Sequence, residues 1–336
     1  MDAGATCGAL CYRPDVSYAT TLEAIVEARA RIAPYVHVTP VLTSSTFDRR
    51  AGRQLFFKCE NLQRGGAFKA RGAANAVMRL DETAASRGVV THSSGNHAQA
   101  LAIAAKARGI PAHIVMPSDA PRVKRAAVES YGAVVHLCEP TLEAREATAA
   151  RVVEETGGAF IPPYDHPDVI AGQGTLALEL LEQIPDLDAV LLPVGGGGLL
   201  SGVTLALSEL VPRVRIFAAE PSGAADAQRS KQSGVRVTHH APDTIADGLK
   251  TTLGELTWPV VRDLVEEVLV VDDVATIAAM RLVLERMKIV IEPSSAVPVA
   301  AALSQRFRAI EGLERVAIVL SGGNVDLDTL PWMRGR

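Results

Sequence analysis

Short apolar runs and alanine-rich amphipathic stretches alternate along the whole chain. The runs 54–58, 88–91, 112–116, 133–137, 189–193, 215–220, 268–271 and 315–320 are rich in β-branched and aliphatic residues, and several are apolar almost throughout. Continuous apolar strands such as AVLLPV indicate sheets covered on both faces, and alternation with helices indicates parallel pairing. Helical periodicity predicts helices over 22–31, 97–108, 123–131, 142–156, 176–183, 274–287 and 296–306. The fold class is α/β. No internal repeat, low-complexity tract or long linker interrupts it, so a second domain would be folded in rather than strung on.

Glycine punctuates the ends of three of these strands: THSSGNH after 88–91, GGGG after LLPV, and SGGN after AIVL. Ligands of open parallel sheets bind at the carboxyl ends of strands, beside helix N-termini, so three such turns point to one site built from several loops. Composition narrows the partners. A net charge of −4 and 4% aromatic residues argue against nucleic acid. No apolar run reaches the ~18 residues of a membrane span. The start lacks a basic segment followed by an apolar one, so a cytoplasmic protein is expected. Four cysteines (Cys7, Cys11, Cys59, Cys138) form no CxxC pair and are expected as reduced thiols. Residues 1–16 show weak periodicity, as a loosely held arm would.

Gly195, Gly196, Gly197 and Gly198 leave main-chain N–H groups uncovered where a helix begins, which suits a phosphate. Neither the Gly-Lys-Ser/Thr of a P-loop nor the spaced dinucleotide fingerprint is present, so a phosphate ester smaller than a nucleotide is expected. Lys69, in GAFKARGA, sits beside small residues. A surface lysine is the ordinary reading, but beside a phosphate-bearing carbonyl compound a desolvated lysine is the reagent for an imine. Ser93, Ser94, Asn96 and His97 open a helix, where they could bind a carboxylate, cap the helix, or both, and Asn96 could meet a phenolic oxygen. Ser321 ends a buried strand; a hydroxyl opposite a pyridine nitrogen would leave that ring unprotonated and favour elimination over a long-lived carbanion.

In order, AFKARGA, SSGNHAQAL, AGQGT, PVGGGG, AEPSGAAD, TIADGL, EPSSA and SGGN resemble the fold type II pyridoxal-phosphate family, in its serine racemase and serine/threonine dehydratase branch. The resemblance covers nearly the whole chain, from Ser17 to Trp332. It implies two open twisted parallel-type sheets, in a large domain (1–79 and 164–336) and a small inserted one (80–163), with the active site between them. It makes Lys69 the Schiff-base lysine, with Phe68 packed by the ring and Asn96 at the phenolic oxygen. The glycines 195–198 would cradle the phosphate, Gly248 would line the cofactor, and Ser321 would meet the pyridine nitrogen. Ser93, Ser94, Asn96, His97 and Arg145 would bind substrate. Glu220, the Ala224 carbonyl and Asp226 match the branch's divalent-cation loop, and such hard oxygen ligands suit Mg²⁺, Ca²⁺ or Mn²⁺. A homodimer is implied as well.

The expected reaction is dehydration of L-serine or L-threonine to a 2-oxo acid and ammonia, after α-proton abstraction by Lys69. Racemisation needs an acid/base on each face, and Ser94 is the expected partner opposite Lys69. Three departures point away from racemisation as the principal activity: Ala67 for a common serine, Ala98 for the glycine of animal racemases, and Pro163-Tyr164-Asp165-His166. The chain ends soon after SGGN, so the regulatory domain of allosteric threonine dehydratases, and feedback by isoleucine, are not expected. 3-Hydroxyaspartate dehydration is the close alternative. A sulfhydrylase-like protein and a non-catalytic phosphate-ligand binder are the alternatives of other classes.

Overall fold

A computed structural model describes residues 17–120 and 122–333. The expected arm over 1–16, with Cys7 and Cys11, lies outside the described residues. Ten strands occur in chain order: β1 (Val41–Thr43), β2 (Gln54–Cys59), β3 (Val89–His92), β4 (Ala112–Pro117), β5 (Val134–Cys138), β6 (Ala159–Phe160), β7 (Ala189–Pro193), β8 (Arg215–Pro221), β9 (Glu267–Val271) and β10 (Arg315–Leu320). They form a six-stranded sheet of order β1-β2-β10-β7-β8-β9 and a four-stranded sheet of order β5-β4-β3-β6. Every pairing is parallel except that of β1 with β2.

Alternation along each strand sends residues to two cores. Val190 and Leu192 of β7 enter one apolar cluster with Ile216, Ala218, Ala317 and Val319. Ala189 and Leu191 enter the other, with Phe217, Val316, Ile318 and Leu320. The smaller sheet divides likewise, Val89 and Ile114 on one side and Val90 and Val115 on the other. Two strands escape the sequence pattern. β1 and β6 have three and two residues, too few for a periodicity to register.

Two helices differ from expectation, each for a local reason. The predicted 176–183 helix begins instead at Pro167, with His166 as its N-cap and the proline in its first turn. The glycines of AGQGT lie inside this helix and serve close approach. A Cβ on Gly172 would lie 2.6 Å from the Arg71 carbonyl oxygen, and one on Gly174 would lie 2.8 Å from that of Gly202. The Pro167–Gln183 helix therefore presses against both the Lys69–Arg79 helix and the Gly198–Leu210 helix, bringing the lysine and the tetraglycine turn onto one support. The predicted 296–306 helix is two, Pro293–Leu303 and Gln305–Arg308, parted at Ser304, whose hydroxyl accepts from the Phe307 N–H. Cys59 and Cys138 are free thiols. No helix among the described residues is long and apolar enough to cross a membrane.

Candidate active site

The loops at the carboxyl ends of β2, β3, β7 and β10 converge on Lys69. The first and last of these are joined directly: the Phe68 N–H donates to the Ser321 carbonyl at 2.9 Å, and Ala67 and Gly322 form an isolated antiparallel bridge. Lys69 opens its helix, and its Nζ donates to the Pro163 carbonyl at 2.5 Å. Burial lowers its pKa to about 8, against the pull of the Glu292 carboxylate. At neutral pH roughly one amine in ten is then neutral, against about one in three thousand for a free lysine. The Phe68 ring lies 5.1 Å from Nζ.

Asn96 sits at the centre of a polar bridge. Its Nδ2 donates to both carboxylate oxygens of Glu292 at 3.0 Å, and its Oδ1 accepts from Asn324 Nδ2 at 3.0 Å. Glu292 is buried, which pushes its carboxyl up to about 7. Sequence reasoning quoted EPSSA without giving Glu292 a role; a carboxylate just before Pro293 at a helix start was the available signal. Ser321 is also buried, its Oγ 3.1 Å from that of Ser295, which in turn donates to the Gly322 carbonyl at 2.6 Å. The Gly248 N–H donates to Ser294 Oγ at 3.0 Å.

The tetraglycine turn follows β7 and enters the Gly198–Leu210 helix, with Gly197 as N-cap at φ +88°, a conformation few residues other than glycine adopt. Side chains are also excluded by neighbours: a Cβ on Gly196 would lie 2.3 Å from the Tyr164 ring, and one on Gly197 2.8 Å from Thr257. Among the described residues no acceptor takes the N–H groups of Gly195, Gly196 or Gly197. A helix N-terminus with free donors, opening beside a desolvated amine, has the chemistry that a phosphate-bearing aldehyde requires.

Other candidates fall out differently. Ser93 Oγ accepts from the Gly95 N–H at 3.3 Å, and Ser94 is half-buried in the same turn. The helix starts at Asn96 with Gly95 as N-cap, so neither Ser94 nor Asn96 caps it. The His97 imidazole packs into the interior: it is buried, its Nε2 bonds the Ile161 carbonyl at 3.0 Å, and burial drives its pKa to about 3, so the ring is neutral. Arg145 stays on its own helix, its Nε donating to the Thr141 carbonyl, near enough to His92 to help lower that imidazole's pKa.

Glu220 ends β8 and Asp226 begins the Asp226–Ser233 helix, with Ala224 between them. Both carboxylates are buried. Desolvation raises both, Glu220 to about 8. Glu220 accepts from the Ala227 and Gln228 N–H groups, and Asp226 from that of Leu253. Among the described residues no group of three or more His, Cys, Asp or Glu side chains is arranged to hold a metal ion.

The chain is 53% identical over 316 residues to a serine racemase of Arabidopsis thaliana, covering 93% of this chain and 96% of that protein. It is 50% identical over 315 residues to a β-hydroxyaspartate dehydratase of Paracoccus denitrificans, covering 94% and 99%. The solved structure of maize serine racemase superposes with a TM-score of 0.92 at 52% identity, covering 94% of this chain and 97% of that one. The family model described as pyridoxal-phosphate dependent enzyme matches residues 32–322. Lys69, the tetraglycine turn and Ser321 all fall inside that span, and the chain belongs to the pyridoxal-phosphate dependent enzyme family.

Proposed function

We propose that this protein is a pyridoxal-phosphate dependent serine racemase and serine/threonine dehydratase. The observation that carries the reading is the convergence of a desolvated Lys69 amine, the unpaired donors of the glycine turn, and Asn96 of the SSGNH turn, linked through the Pro163 carbonyl, Tyr164 and Asn324. When bound, pyridoxal phosphate supplies an aldehyde for the lysine amine and an electron sink that acidifies the α-carbon of an amino acid. Gly195 to Gly198 would hold its phosphate, Asn96 its phenolic oxygen and Ser321 its ring nitrogen, with Phe68 and Gly248 alongside. A neutral serine hydroxyl there, with Ser295 as its partner, leaves the ring nitrogen without a carboxylate to hold a proton on it.

In this reading the free amine of Lys69 takes the α-proton from one face, held by its hydrogen bond to the Pro163 carbonyl. The Ser94 hydroxyl returns a proton to the other face. Ser93, Asn96 and His97 bind the substrate carboxylate, and Arg145 lies near the substrate pocket. Residues 80–163 form the domain that closes on substrate: they carry SSGNH, whereas Lys69 belongs to the larger part. Lys124 and Asp247, 2.8 Å apart, would meet across that closure. The reading also includes a cytoplasmic homodimer, which light scattering would measure.

Turnover of L-serine, D-serine, L-threonine and the 3-hydroxyaspartates, with pyruvate or another 2-oxo acid and the opposite enantiomer both measured, tests the assignment. Release of no 2-oxo acid and no enantiomer from any of them refutes it. The Paracoccus relative favours 3-hydroxyaspartate as the second reading. Ser94→Ala is expected to lower D-serine formation by about 100-fold or more while leaving 2-oxo acid release within a few-fold, since elimination needs only the Lys69 face. Equal loss of both products would sink the two-face assignment.

The reading also places a divalent cation at Glu220, the Ala224 carbonyl and Asp226. Two buried carboxylates sit in one loop, Asp226 at 3.4 Å from the His240 imidazole, and a hard cation would favour their charged forms. Chelation is expected to lower the melting temperature by several degrees, and Mg²⁺, Ca²⁺ or Mn²⁺ to restore it. An unchanged melting curve after verified metal removal would count against the site.

A further inference from the structure

We propose that Asp165 is a positioning residue for Lys69, acting through the short turn 163–166. This turn makes four separate attachments. The Pro163 carbonyl accepts from Lys69 Nζ, and Tyr164 lies against the glycine turn, so close that a Cβ on Gly196 or Gly198 would reach it at 2.3 or 3.0 Å. His166 caps the Pro167–Gln183 helix. Asp165 points the other way: Oδ2 accepts from the Glu255 N–H and Oδ1 from the Leu256 N–H, each at 2.9 Å. A Cβ on Gly254 would lie 2.1 Å from Oδ1, so the backbone approaches the carboxylate as only glycine allows.

Residues 253–257 are themselves fixed to the glycine turn. Thr257 Oγ1 donates to the Gly196 carbonyl at 2.8 Å, and the Gly254 N–H approaches the same oxygen at 3.3 Å. The Asp165 carboxylate thus fixes the Pro163 carbonyl relative to the turn expected to hold the cofactor phosphate. Charge-assisted bonds to two adjacent N–H groups resist rotation of the carboxylate better than one bond would. A carbonyl that takes one proton of the lysine amine also sets where the amine's lone pair points. Misplacing that lone pair costs rate without removing the base.

The inference rests on Lys69 being the cofactor lysine. Lys69→Ala tests that reading separately, because it removes covalent capture of the cofactor, which Asp165→Ala leaves in place. In the holoenzyme, Asp165→Ala is expected to lower kcat for L-serine elimination, per bound cofactor, by about 10- to 100-fold. KM should change far less, and the cofactor should remain trapped at Lys69 by borohydride. Asp165→Asn, which keeps one acceptor but turns an amide donor toward the other N–H, should fall between alanine and wild type. If kcat per bound cofactor equals wild type while only the melting temperature falls, Asp165 is a structural anchor and the proposal is overturned. Should Asp165→Ala fail to fold, Asp165→Asn decides alone: a wild-type kcat and pH profile overturn the proposal, and a lowered kcat with a displaced profile supports it.

Discussion

Lys69→Ala will abolish turnover of every substrate, by about 10³-fold or more, and the visible absorbance of covalently held cofactor with it. General acid–base chemistry contributes roughly 10²- to 10⁴-fold, and in the proposed function the same residue also captures the cofactor. The protein will still fold. Nζ donates to the Pro163 carbonyl, and alanine is a better helix former than lysine at the start of the Lys69–Arg79 helix. The sign of the pH dependence follows from the lowered pKa. Between pH about 8 and about 10.5 the unfolded chain holds a proton on this lysine that the folded apoprotein does not. The penalty for burying the amine is therefore full below pH 8 and vanishes above 10.5. Apo Lys69→Ala should melt at or above the wild-type temperature at pH 7, with the difference shrinking as pH rises. A borohydride-trapped cofactor in the variant, located by mass spectrometry, would remove Lys69 from the chemistry.

The largest effect on stability is expected two residues further along the same helix. Arg71 is fully buried and forks to Glu60 with Nε and Nη2 at 2.8 Å, and to Glu179 with Nη1 and Nη2 at 2.7 and 2.8 Å. Lys58, equally buried, donates to Glu179, Gln183 and the Thr39 carbonyl, and Thr39 donates to Glu60. Two cations and two carboxylates balance, and the lysine amine makes three hydrogen bonds. Burial works against the arginine's charge, but the two carboxylates outweigh it and raise its pKa. Arg71→Ala leaves Glu60 and Glu179 facing one lysine without water. Breaking a buried pair in this way costs about 3–5 kcal/mol, which corresponds to a fall of roughly 10 °C in melting temperature. Because the cluster fixes β2, the Lys69 helix and the Pro167–Gln183 helix to one another, cofactor retention should fall as well. Arg71→Lys keeps the charge but not the fork and should recover only part of the loss. A melting temperature within about a degree of wild type would show that the cluster contributes little, as exposed ion pairs do.

The α/β class was legible because β7 is apolar at consecutive positions and the alanine-rich segments repeat at helical spacing; both are properties of neighbouring residues. The glycine turn was legible for a similar reason, since four glycines between a strand and a helix serve backbone geometry that no other residue supplies. β1 and β6 were not, being too short to carry a period and owing their conformation to the strands beside them. Glu292 shows the same limit at the site. Its place before Pro293 at a helix start is a weak local mark, and it acquires a partner only when Asn96, nearly two hundred residues away, is folded against it. His97 shows the same limit: its imidazole is buried and neutral because it packs against Ile161, 64 residues further along the chain.

The sequence by itself determined the alternation of strands and helices, the lysine, the glycine turn and the order of the motifs, all written in short contiguous stretches. Tertiary structure alone decided that the Pro163 carbonyl accepts from the lysine amine, that the Asp165 carboxylate accepts from the Glu255 and Leu256 N–H groups, and that Arg71 is enclosed by Glu60 and Glu179. Those outcomes depend on desolvation and on contacts between distant segments, and a side chain's burial and partners do not exist until the chain has closed around it.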